Sequence, residues 1–518
     1  MKIQDRRAFL RDVGKGMLVA SVGTALVDDL GIDTAFAEQG TDELSFGKLE
    51  PLVCLMQETA PAKLMPVVVE RLKQGTDLKQ IVASAALANV RTFGGEDYVG
   101  FHTMMAIAPA YNMARELPEA TRPLPVLKVL YRNSNRIQEV GGRKKEVMHP
   151  VQPVAVGRDK DGAEVVRDAV RRQDLKAAEG TFAAIAQDGP TAALNAIEHT
   201  LQDATEVHRV VMVSRSWDLV NLIGKEQAHT LLRQSIHYCV KNEPWSAKYR
   251  SEPRTLLPKL LDQHKLMGRS AGTGKPDDAW VDKLSQTFFK STPAQAAEAA
   301  AAALAEGFVP DAIGEAISLA ANQLLLRDAG RRKGQTAPNK PVGSVHGDSI
   351  GLHASDSANA WRNIARVSNP RNQMASLILG AYQVALDRVE RGGDFLHWSP
   401  YPIAEARAKI KTKDAKALLK EAEDAIRSKD QVRVCAAIHR YGELGHAVRP
   451  VFDLLLRFAI SEDGALHAEK YYRTVTEEFA ASRAAFRWRH LIALARVTAS
   501  AFGQPAPGYD DCCKLVQG

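Results

Sequence analysis

The sequence predicts an all-α protein built as two tandem, duplicated helical-hairpin domains related by a pseudo-twofold, and three observations carry that expectation. Long segments rich in Ala, Leu, Glu, Lys and Arg bring apolar residues back every three or four positions, the period of a helix with one buried face. Alternating, strand-like runs are almost absent. One pattern is written twice at identical spacing: Asp97-Tyr98-Val99-Gly100-Phe101-His102 followed by Asn112-Met113-Ala114-Arg115, and Asp348-Ser349-Ile350-Gly351-Leu352-His353 followed by Asn363-Ile364-Ala365-Arg366. Self-similarity at fixed offsets points to a duplicated architecture.

From the N-terminus, residues 1–37 stand apart from the body. Asp5-Arg6-Arg7-Ala8-Phe9-Leu10-Arg11 precedes an apolar run from Met17 to Val27 and a small-residue site, Ala35-Phe36-Ala37. This resembles a twin-arginine signal peptide cleaved after Ala37, which implies the Tat export machinery as a partner and a periplasmic or extracellular location. The run is too short to span a bilayer as a helix, and the body holds none longer, so no transmembrane segment is expected in the mature chain. The twin-arginine route resembles a carrier for proteins already folded, often around a cofactor, which points toward a bound metal or redox group.

The first repeat domain is expected over 45–255 and the second over 270–505, with a polar tail over 506–518. Helices are predicted over Ala60 to Lys73, Leu78 to Val90 and Ala163 to Gln187 in the first, and over Ala404 to Ser428 in the second. Pro293-Ala294-Gln295-Ala296-Ala297-Glu298-Ala299, running on to Leu304, reads as an alanine-rich helix with proline in its first turn. A long loop is expected from Gly141 to Asp161, and a connector over Asn242 to Pro253 and Gly268 to Pro276. Leu72, Gly75, Ile81, Leu87 and Ala88 match Leu304, Gly307, Ile313, Leu319 and Ala320 without a gap. The second half then carries an insertion of 19 residues, containing Arg331-Arg332-Lys333-Gly334-Gln335, which reads as a loop. Asp174, Lys176 and Ala177 resemble Asp414, Lys416 and Ala417.

Composition narrows the class. The formal charge is +7, and removal of residues 1–37 takes away five basic and five acidic side chains and leaves it unchanged. On a chain this long that excess, without a base-stacking aromatic module, argues against nucleic-acid recognition. None of the five cysteines has the spacing of a zinc knuckle or a covalent haem site. Cys512 and Cys513, in the tail, could pair in an oxidising compartment or mark a surface segment without a role. There is no Gly-x-Ser-x-Gly elbow, no phosphate loop ending in Gly-Lys-Ser/Thr, no His-Glu-x-x-His and no dinucleotide fingerprint after a strand.

The chemistry-bearing signal is the set of matched histidines. His102 pairs with His353 across the repeat, and the 21-residue step from His208 to His229 recurs from His446 to His467. An aspartate before an apolar stretch is a natural helix cap, and the glycine two residues before His102 and His353 permits close approach of a neighbouring helix. A buried imidazole needs partners for both nitrogens. Each 21-residue step contains a glycine break, Gly224 or Gly464, so it predicts a hairpin whose two histidines lie roughly 20 Å apart, too far for one ion. The preferred metal set is therefore His102, His353, His208 and His446, with a crossed set that joins His208 to His467 kept open. His229, His467, Asp348, Glu206 and His346 are the second choice, and a mixed carboxylate and imidazole shell would suit iron, manganese or zinc.

The segments His102-Thr103-Met104-Met105-Ala106, Val207-His208-Arg209-Val210-Val211, Leu352-His353-Ala354-Ser355 and His467-Ala468-Glu469-Lys470 resemble the histidine-led helices of the questin-oxidase-like family. The resemblance implies an all-helical fold and oxidation of an aromatic or other small organic substrate. The expected function is thus an exported, metal-dependent oxidoreductase with a histidine-rich site between two helical repeats. The alternatives are a non-enzymatic helical repeat protein that binds a partner, and a metal-assisted hydrolase.

Overall fold

A computed structural model describes residues 43–157, 159–390 and 392–517. The twin-arginine signal expected over residues 1–37 lies outside the described residues. Among the described residues the chain forms 23 α-helices and no β-strand. No helix there is long and apolar enough to cross a membrane.

The first helices are α1 (Glu50–Glu58), α2 (Pro61–Lys73), α3 (Leu78–Phe93), α4 (Tyr98–Arg115) and α5 (Leu124–Val140). After the expected loop come α6 (Gly162–Arg171), α7 (Leu175–Ala186), α8 (Pro190–Leu201), α9 (Val207–Ile223), α10 (Ala228–Tyr249) and α11 (Pro253–Gln263). The chain continues through α12 (Asp278–Lys290), α13 (Pro293–Ala305), α14 (Pro310–Arg327), α15 (Ile350–Val367) and α16 (Pro370–Glu390). It ends with α17 (Ala404–Lys409), α18 (Ala415–Arg427), α19 (Gln431–Glu443), α20 (Arg449–Ser461), α21 (His467–Ala481), α22 (Trp488–Ala501) and α23 (Tyr509–Gln517).

Several local expectations are corrected. The helix read across Ala163 to Gln187 is two, because Gln173 turns left-handed at φ 57° and Asp174 restarts the chain by accepting from the Ala177 amide. Ala404 to Ser428 divides likewise, with Ile410 extended and Asp414 capping α18 through the Ala417 amide. The matched aspartates of the sequence are therefore both caps. Asn242 to Pro253, read as connector, is largely helical: exposed Pro244 sits inside α10, where water can replace the lost backbone bond, and Pro253 opens α11. The tail over 506–518 contains α23, which docks on α2 and α5 and buries Cys512. Both tail cysteines are free thiols, as are Cys54, Cys239 and Cys435.

The centre of the molecule is a ring of four helices. α9 packs against α4 and α15, and α21 packs against the same two from the other side. α4 is flanked by α3 and α5, and α15 by α14 and α16, so the two copies of the repeated pattern sit in similar three-helix surroundings. Close approach explains both glycines of the pattern. A Cβ on Gly100 would lie 2.5 Å from the Phe93 ring, and one on Gly351 would lie 2.6 Å from the Leu325 backbone. Two buried polar contacts lock the ring: Lys128 of α5 meets Glu469 of α21 at 2.6 Å, and Arg215 of α9 reaches Asn359 of α15 and Thr474 of α21.

Candidate functional site

Each helix of the central ring carries a histidine in its first or second turn, and the four imidazoles meet. Asp97 caps α4 by accepting from the Gly100 amide at 2.8 Å, and Arg136 grips its carboxylate, which fixes the turn that presents His102. Glu206 caps α9 through the Arg209 amide at 3.0 Å and sets His208. In α15 the local signal was misread: Asp348 is held by Arg331 and Lys340 of the inserted loop, and Ser349 occupies the cap position instead. The α21 start is strained. Ala465 and Leu466 are consecutive left-handed residues at φ 49° and 65°, conformations that cost about 1–3 kcal/mol each, and they aim His467 inward.

His102 Nε2 lies 3.2 Å from His208 Nε2, and His353 Nε2 lies 3.1 Å from His467 Nε2. The ring centroids close a quadrilateral: His102 to His208 4.7 Å, His208 to His353 5.6 Å, His353 to His467 5.2 Å and His467 to His102 5.3 Å. His102, His353 and His467 are 3%, 6% and 4% exposed.

The outer nitrogens decide the tautomers. His102 Nδ1 donates to the Tyr98 carbonyl at 2.7 Å, His467 Nδ1 to the Ala465 carbonyl at 2.9 Å and His208 Nδ1 to the Glu206 carboxylate at 2.6 Å. Carbonyl and carboxylate oxygens only accept, so a neutral ring in each case has its proton on Nδ1 and a bare Nε2 pointing inward. Burial, with Lys470 and His208 beside it, holds His102 well below the ordinary imidazole range. Burial, Lys470, His353 and His102 do the same to His467. Burial works against the Glu206 charge, yet the His208 imidazole and the Tyr238 hydroxyl, which donates at 2.7 Å, keep its carboxyl well below the carboxylate range. Neutral rings with lone pairs face to face repel one another; a shared cation would relieve this.

Among the described residues no three histidine, cysteine or carboxylate side chains already stand as a metal site. The imidazoles face each other as two pairs, and gathering all four nitrogens on one ion requires the two pairs to move together.

The site residues named from sequence divide clearly. His102, His208 and His353 are brought together, and Glu206 stands directly behind His208. His467, a second choice, is the fourth member. His446 is not: it lies before α20 on the surface, with Nε2 donating to the Lys413 carbonyl at 2.9 Å. His229 stacks on Phe182 at 5.9 Å, and burial and Arg233 push its pKa down to about 3. His346 is bonded to Ser500 Oγ and the Asn339 carbonyl, both at 2.8 Å, and Asp348 is committed to its two cations. Sequence reasoning missed Lys470. It is buried near His102 and His467, and its pKa is depressed to about 8 by burial, which outweighs the attraction of Asp356 and Glu469. Two adjacent charges at a buried helix face, Glu469 and Lys470, were the available signal.

A cleft of about 400 Å³ reaches His208 from solvent, lined by Glu96, Tyr98, Phe101, Glu206, Arg209, Tyr238, Lys241, Asn242, Trp245 and the buried Ser246. Tyr98, 59% exposed, covers His102 with ring centroids 4.4 Å apart, and Phe101 lies about equally close to His102 and His208, at 5.0 Å and 5.1 Å. A larger cleft of about 650 Å³ between α2, α4 and α23 has no histidine in its walls. No protein-family model, curated protein or solved structure matches the chain.

Proposed function

We propose that this protein is an exported, metal-dependent oxidoreductase that holds one ion among His102, His208, His353 and His467 and acts on a small organic substrate admitted beside His208. The observation that carries the reading is the convergence of four imidazoles, three of which turn Nδ1 outward to an acceptor oxygen and Nε2 toward a neighbouring ring. Four imidazoles around a tetrahedral ion bound at about 2.0–2.1 Å place neighbouring nitrogens about 3.4 Å apart and ring centroids roughly 5 Å apart, close to the separations here. Outer-shell bonds from Nδ1 to carbonyl and carboxylate oxygens are the usual support of histidine ligands.

The donor set refines the choice of metal. Without a carboxylate ligand the reason for manganese weakens, whereas imidazole suits iron, zinc and copper. A closed tetrahedral zinc site would be structural, so a catalytic reading favours iron, which accepts further ligands. Bound there, the ion would supply the electron-transfer chemistry that the side chains lack. Glu206 would orient His208, Tyr98 and Phe101 would keep water from the rings, and the cleft would bring substrate to the His208 edge. The resemblance to the questin-oxidase-like family and to twin-arginine exported proteins supports the same assignment.

Elemental analysis of protein matured through its own export route tests this. About one ion per chain is expected, lost in a His102→Ala, His353→Ala double variant and retained in His446→Ala. A folded, metal-free native protein would sink the proposal, and turnover without oxygen or another electron acceptor would favour a hydrolase.

A further inference from the structure

We propose that the cleft beside His208 is a binding site for an organic acid, with Arg209 and Ser246 receiving the anionic head and Phe101, Tyr238 and Trp245 packing the apolar body. The inference rests on the reading of this cleft as the substrate route and adds the substrate's charge.

Arg209 borders the cleft and is 2% exposed. A guanidinium carries five donors and cannot shed its proton, so burial without a counter-ion is costly. Its partners here are the Thr200 carbonyl at 2.6 Å and Ser246 Oγ at 3.3 Å, while Nε has none. Among the described residues no carboxylate pairs with it. Three other buried arginines have carboxylates, Arg91 with Glu50 and Glu146, Arg215 with Asp218 and Glu477, and Arg362 with Glu478. Arg496 has none but places Nε and both terminal nitrogens on Gln431 and the Leu325 and Asp328 carbonyls, whereas Nε of Arg209 is left over.

The acidic residues of the same cleft cannot serve, because each is already committed. Glu206 is bonded to His208, the Tyr238 hydroxyl and the Arg209 amide, and Glu96 to His237 and Lys241. The floor thus holds an uncompensated positive charge beside the 2%-exposed Ser246, under aromatic walls that include Phe101, Tyr238 and Trp245. A carboxylate on a compact apolar body matches all three: it pairs with the guanidinium, accepts from Ser246 and covers the rings.

Calorimetric titration of the full chain with 3-phenylpropionate, beside the neutral 3-phenylpropan-1-ol, tests the assignment. The acid should bind at least tenfold more tightly than the alcohol. Arg209→Gln should remove that preference while leaving metal content unchanged. Because loss of a buried arginine can disturb folding, Ser246→Asp supplies a second arm: an internal carboxylate beside Arg209 should abolish binding of the acid without lowering thermal stability. Equal binding of acid and alcohol, no binding of either, or acid binding that survives Ser246→Asp would overturn the proposal. Metal content is read separately, so a metal-free protein that binds the acid removes the oxidoreductase reading and leaves this one standing.

Discussion

Glu206 is the residue on which the histidine cluster leans most heavily. It caps α9, bonds His208 Nδ1 and accepts from Tyr238, so one carboxylate fixes a helix start, a tautomer and a cleft wall. Glu206→Gln retains an oxygen for the cap but weakens the hold on the imidazole and removes the nearest negative charge. Loss of such an outer-shell partner typically costs 10–100-fold in metal affinity; a chelator-competition assay should show a shift of that size with helicity unchanged. Metal retention equal to the parent would separate Glu206 from the site. At this scale His102, His208 and His353 were legible, since the repeated pattern and the helix starts mark them. His467 was subordinated to His446 for a physical reason: a 21-residue spacing measures the length of a hairpin, not which of its ends turns inward. The left-handed pair Ala465 and Leu466, which turns this one, has no signature in residue type.

Helix contacts carry a second, independent consequence. Glu198 of α8 is fully buried, where Ser368, in the turn between α15 and α16, and Ser376 of α16 donate to it. Burial, only partly offset by those hydroxyls and Arg371, raises its pKa from 4.5 to about 8. The folded state therefore holds this proton more tightly than the unfolded one. Its contribution to stability is complete below about pH 4.5 and is lost as pH rises through 8. Glu198→Gln should flatten the fall in Tm across that interval and make the protein more stable than the parent at pH 9, as followed by thermal melts in a pH series. A parallel pair of curves would refute it. Helix class was legible because apolar periodicity is local; the breaks at Gln173 and Ile410 were not, since a single left-handed or extended residue leaves that periodicity intact.

On the scale of the whole molecule, polar contacts between distant parts of the chain hold the central ring together. Lys128 is almost wholly buried, paired with Glu469 and donating to the Ala459 and Glu462 carbonyls at 2.8 Å and 2.5 Å. Removing one partner of such a pair strands the other charge, at a typical cost of about 3–5 kcal/mol. Lys128→Met should lower stability by that order in denaturant unfolding, and Lys128→Met with Glu469→Leu should recover most of it. If the single variant is neutral, the Lys128–Glu469 pair does not hold the ring together. None of these long-range partners could be read from sequence, because no local periodicity encodes a contact between residues 128 and 469.

The four histidines share one further property: each stands in the opening turns of its helix, on α4, α9, α15 and α21. Peptide dipoles sum to about half a positive elementary charge at a helix N-terminus, and four such ends converge on one buried, low-dielectric spot. A proton arriving there is repelled, in keeping with the lowered pKa of His102 and His467. An electron is welcomed, so a redox couple held among these imidazoles would be displaced toward its reduced form. The backbone itself thus makes this region electron-attracting before any side chain is counted.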